Sequence, residues 1–117
     1  MKSYTDLNQS KKLAEILPLE SADMEYLLEH WIDEKTGRHK EEYYEIPVVK
    51  VDDDCPLQQI TLPCWSLAAL IGVLKDGALD FTNSRFRVYS NGVTKYMDNP
   101  VDACYEMILK LHEQKLI

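Results

Sequence analysis

The chain has 117 residues, of which 45% are apolar and 28% charged, with four glycines and five prolines, a balance that suits one folded domain and excludes long disordered stretches. Its longest apolar run, Leu67 to Leu74, is eight residues, far short of the roughly 20 that span a bilayer. The net charge of −7 is uneven: residues 1–62 hold 14 acids and 7 bases, and residues 63–117 six of each, so the first half repels a phosphate backbone and non-specific nucleic-acid binding is disfavoured.

In chain order, Leu13, Ile16 and Leu17 recur at helical spacing after Ser10, with Lys11, Lys12 and Glu15 opposite, and Pro18 stops the run; a helix from about Thr5 to Leu17 follows. Residues 22–32 fit two templates. Met24, Leu27, Leu28 and Trp31 make a helical stripe, whereas Met24, Tyr26, Leu28 and His30 alternate as in a strand. The polar turn Glu34 to Arg38, which contains Gly37, and the strand-forming run Tyr43, Tyr44, Ile46, Val48, Val49 and Val51 favour a hairpin of 23–32 with 41–51. Pro47 inside that run cannot donate to a ladder, so an edge strand or a bulge is expected there.

After a loop at Asp52 to Pro56, Ser66 caps a helix running to about Leu74. Trp65 before the cap and Leu70 after it have the spacing of a hydrophobic staple. A short strand at Leu79 to Thr82 precedes a second hairpin, in which Phe86, Val88 and Tyr89 lead through Asn91 and Gly92 into Val93 to Tyr96. Arg85 and Arg87 on either side of Phe86 leave one face of that hairpin wet. Asn99 as cap and Pro100 at the first helical position open a last helix, to about Gln114, with Val101, Cys104, Met107, Ile108 and Leu111 on its apolar side. The predicted architecture is a single α+β domain over 1–117, a small, mainly antiparallel sheet of two hairpins packed by about three helices.

Few residues carry a chemical signature. Cys55, Cys64 and Cys104 form an odd set without CxxC spacing, which suits a reducing, cytoplasmic setting. With His30 and His39 they match no zinc pattern. Asp52, Asp53 and Asp54 fail the calcium-loop pattern, because Leu57 and Pro63 stand where it needs glycine and glutamate. Cys64 before a helix start is a conceivable nucleophile, but its place between Pro63 and Trp65 favours a packed thiol. No glycine-rich phosphate loop is present. No catalytic, metal or cofactor residues are therefore assigned. Asp23 is unfavourable in a strand unless something pairs with it, and Asp23, Trp31, Tyr43 and Asp53 are the candidate contacts to a partner.

Four segments, Ser10 to Leu13, Ser21 to Met24, Pro63 to Leu67 and Asn99 to Ala103, resemble small uncharacterised proteins encoded by prophages and mobile elements of gut bacteria. The resemblance implies a bacterial intracellular setting and no assigned activity. The function expected first is a non-enzymatic accessory factor that binds a host or phage protein. A small enzyme using Cys64 or the Asp52–Asp54 loop, and a structural or assembly component, are the alternatives.

Overall fold

The computed structural model describes residues 2–50, 61–74, 77–82 and 84–117. Its elements are α1 (Leu7–Ala14), β1 (Met24–Ile32), β2 (His39–Tyr43), β3 (Val48–Val49), β4 (Thr61–Cys64), α2 (Leu67–Val73), β5 (Ala78–Thr82), β6 (Arg85–Ser90), β7 (Val93–Met97) and α3 (Pro100–Glu113). Two antiparallel sheets, one of four strands and one of three, are packed by the three helices, an α+β fold as expected. No helix among the described residues is long and apolar enough to cross a membrane.

Helix α1 is shorter than the sequence suggests because Asp6 caps it. The Asp6 carboxylate accepts from the Gln9 N–H, and the Gln9 side chain accepts from the Asp6 N–H, a reciprocal box that fixes the first turn. Thr5 is thereby left outside the helix. After Ala14 the chain closes with the Leu17 N–H donating to the Leu13 carbonyl at 2.8 Å, which buries Leu13 and Leu17 in the main core.

Residues 24–32 are strand, not helix, since β1 has partners on both edges. Met24 lies opposite both Val49 of β3 and Cys64 of β4. The returning chain is not the unbroken 41–51 strand of the sequence reading. Tyr44 N–H donates to the Leu27 carbonyl and Lys50 N–H to the Asp23 carbonyl; four residues separate those two carbonyls and six separate the two amides, so the return holds two extra residues. This is the bulge that Pro47 announces. Because Leu27 and Asp23 have the same parity, β2 and β3 lie along the same edge of β1, and β4 takes the other.

The remaining elements follow local signals closely. Ser66 Oγ accepts from the Ala69 N–H at 3.2 Å, and Trp65 and Leu70 are both fully buried in one core, as a staple requires. Asn91 and Gly92 both have positive φ, 51° and 78°, the pairing needed for a tight turn that matches strand twist. On α3, Asn99 Oδ1 accepts from the Val101 and Asp102 amides. Its predicted stripe, with Ala103, is fully buried against α2, β6 and β7, while Arg87 and Tyr89 face outward from the second sheet, with the Arg87 guanidinium over the Tyr89 ring.

The N-terminal segment is tied to α3 by charge. Lys2 Nζ lies 2.6 Å from Asp102 Oδ1, and Gln9 Nε2 donates to the same oxygen at 2.8 Å. Burial works to raise the Asp102 pKa, but hydrogen bonds from Lys2 and Gln9 outweigh it and hold the carboxyl below its ordinary value. A carboxyl depressed in the folded state lends stability that is present above its unfolded pKa, about 4, and is lost as pH falls through the folded value. Asp102→Asn is expected to cost about 0.5–1 kcal/mol at neutral pH. In urea unfolding, the gap from the unmodified protein should close progressively as the pH drops below about 4.

Candidate functional site

Two of the residues singled out from sequence, Cys64 and Asp23, belong to a buried junction. Thr5 sits at its centre, with no exposed surface. Its hydroxyl accepts from the Trp65 N–H at 3.1 Å and contacts Ser10 Oγ at 2.8 Å, and its carbonyl accepts from the Tyr26 hydroxyl at 2.8 Å and the Cys64 thiol at 3.4 Å. Burial pushes the Cys64 thiol above its ordinary pKa despite opposing hydrogen bonds from Thr5, Ser10 and Tyr26. A thiol both inaccessible and kept neutral is a poor nucleophile, which weakens the enzyme alternative built on Cys64. Burial alone drives Cys104, on α3, up to about 12.

Asp23 completes the same junction from outside. Its Oδ1 accepts from the Ser66 N–H at 2.9 Å and its Oδ2 from the Ser66 hydroxyl, so the carboxylate braces the cap of α2. This gives Asp23 the structural explanation that its sequence position lacked. Tyr43 lies opposite Leu28 in the sheet and packs, half-buried, on the small core of Tyr26, Leu62 and Cys64. Asp53, with the rest of the Asp52–Asp54 loop, lies outside the described residues.

Trp31 is the aromatic candidate that faces solvent. Strand β4 ends opposite Leu27, so from Leu28 onward β1 has only β2 beside it among the described residues, and the pair projects as a two-stranded arm. From Glu29 to Glu42 every side chain except Asp33 is exposed; Trp31 retains 38% and Ile32 59% of their surface. The longest axis of the molecule is 53 Å, and its radius of gyration is 16.6 Å, against about 13 Å for a compact chain of this size. At the tip, Gly37 has φ 67°, and Asp33 accepts from the Gly37 and Lys35 amides at 2.7 and 2.9 Å, which closes the turn. Asp23, just before β1, is eight residues from Trp31, about 26 Å along extended chain, and Tyr43 points to the other face. The structure does not gather the four candidates into one site.

Sequence reasoning missed a different grouping. Residues opposite one another in a ladder share a face, which puts Glu29 beside Glu42 and Trp31 beside Lys40 on the side that carries Leu27. The bulge opens a cleft on that side, about 630 Å³, lined by Leu27, Tyr44, Glu45, Ile46 and Val48. Ile46 keeps 75% of its surface exposed. The sequence signal for the cleft was Pro47, which marked where the ladder would break; pairing Glu29 with Glu42 needed the register. The chain matches no protein-family model, no curated protein and no solved structure.

Two measurements check this geometry. In a Cys55→Ser background, Cys64 and Cys104 should react with a thiol reagent at less than about one-hundredth of their rate in denaturant. Glu42→Lys turns a like-charge cross-strand pair into an attractive one, and should stabilise the protein by about 0.2–1 kcal/mol, read as a rise of a few degrees in thermal melting.

Proposed function

We propose that the protein is a non-enzymatic, protein-binding accessory factor of a phage or other mobile element, and that it binds its partner through the β1–β2 arm. The observation that carries this reading is the exposure of Trp31 and Ile32 on a ribbon that no other described element covers on either face. A two-stranded hairpin is at best marginal in water by itself, and aromatic anchors of this kind dominate the energetics of protein interfaces. Such an arm gains most when another molecule buries it. The mobile-element setting is supported by the four resembling segments alone. The polar junction around Thr5 supports the non-enzymatic reading in one respect, because it buries Cys64, the thiol on which one form of the enzyme alternative rests.

The test is affinity capture with tagged full-length protein in cells that carry the parent element, compared with a Trp31→Ser/Ile32→Ser variant. A specific protein partner should be enriched by the unmodified chain and depleted roughly 30-fold or more by the double variant, as loss of an interface anchor worth about 2 kcal/mol implies. Unchanged thermal melting would show that the variant is folded. Equal enrichment by both proteins would remove the arm from the interface, and a saturable small-molecule ligand with no protein partner would overturn the reading.

A further inference from the structure

We infer that the outer face of the first sheet, from the Leu27–Tyr44–Ile46–Val48 cleft to Trp31, docks a basic, amphipathic segment of the partner protein; this rests on the protein-binding reading above. The floor of that face is apolar. Leu27, Tyr44, Ile46 and Val48 line the cleft, and Trp31 extends the surface four residues up the same side of β1. The rim is negative: Glu45 borders the cleft, Glu25 lies opposite Val48, and Glu29 lies opposite Glu42.

None of these four carboxylates has a cationic partner among the described residues. The two lysines near enough to neutralise them are engaged elsewhere. Lys40, opposite Trp31, pairs with Asp33 at 3.4 Å, and Lys50 donates to the Leu19 carbonyl at 3.3 Å. The Glu29–Glu42 pair disfavours the free hairpin, since like charges directly opposite repel. A cation placed between them reverses that sign. Lysine or arginine side chains flanking apolar anchors supply both halves of the complementarity, the apolar residues filling the cleft and the cations meeting the rim. A second copy of this chain would bring the same four acids against themselves, and anionic lipid or nucleic acid would be repelled.

The experiment uses the full chain and a synthetic 12-residue peptide of alternating lysine and leucine, with a glutamate–leucine peptide of the same pattern as control. Binding is followed by tryptophan fluorescence, in which Trp31 responds and the fully buried Trp65 stays constant. Three variants are compared. Glu29→Lys/Glu42→Lys reverses charge on the face; Glu20→Lys/Glu113→Lys makes the same change of net charge at exposed positions off it; Ile46→Ser removes an apolar contact. The basic peptide should bind saturably and the acidic one should not. Affinity should fall at least tenfold with the on-face reversal, at least threefold with Ile46→Ser, and less than threefold with the off-face reversal.

Equal losses from the two reversals would mean attraction to net charge only, and would overturn the inference. So would binding of the acidic peptide, or a concentration-dependent dimer abolished by Ile46→Ser, which would assign the face to a second copy. A cellular partner lost with Trp31→Ser/Ile32→Ser but kept by Glu29→Lys/Glu42→Lys would overturn this surface and leave the protein-binding reading standing.

Discussion

Thr5 holds this structure together. Its amide donates to the Trp65 carbonyl at 2.9 Å, its hydroxyl accepts from the Trp65 amide at 3.1 Å, and its carbonyl takes the Tyr26 hydroxyl at 2.8 Å. Three pieces of chain far apart in sequence, the lead into α1, the N-terminal half of β1 and the β4–α2 junction, meet on one residue. Every polar atom there would cost about 1–3 kcal/mol if buried without a partner. Among the described residues no buried side-chain nitrogen or oxygen lacks one. The network is therefore satisfied as a unit, and a satisfied buried network specifies one arrangement of its elements.

That junction divides β1 into two halves with different physics. Its N-terminal half is flanked by β3 and β4 and locked by Tyr26, whose ring is buried and whose hydroxyl is spent on Thr5. Its C-terminal half, among the described residues, keeps only β2 beside it. A segment with few buried contacts opens locally more easily than a packed one, which sets the arm apart from the base of the strand. The bulge at residues 44–47 lies at the boundary. It interrupts the edge strand where the sheet changes from a packed layer to a free ribbon, and the interruption opens the cleft.

The sequence was legible where structure is made by neighbours. Ser66 and Asn99 as caps, Trp65 and Leu70 as a staple, and Asn91–Gly92 as a turn each act over a few residues, and each is found as read. Strand β4 was not legible. Thr61–Cys64 contains a proline, which argues against a strand by propensity, and its pairing with β1 spans more than 30 residues. Pro63 is tolerated because it opposes Glu25, whose backbone bonds point to the other edge of β1. Thr5 was absorbed into a predicted helix because nothing local distinguishes a threonine about to begin a helix from one about to be buried. Trp31 could be named as a candidate contact, but the placement of Glu29 beside Glu42 depends on register, which one residue of slip would have reversed.

The carboxylates on the arm admit a second physical reading, in which they guard an exposed ribbon against edge-to-edge pairing. Protection of that kind is indifferent to sign, since lysine serves it as well as glutamate. On this face Glu29 and Glu42 are opposed in register, while Lys40, on the same face opposite Trp31, is tied to Asp33, and Lys50 to the Leu19 carbonyl. Guarding an edge explains why the arm is charged. It leaves unexplained why Glu29 faces Glu42 and not a lysine or arginine, which is the arrangement that the proposed basic partner would require.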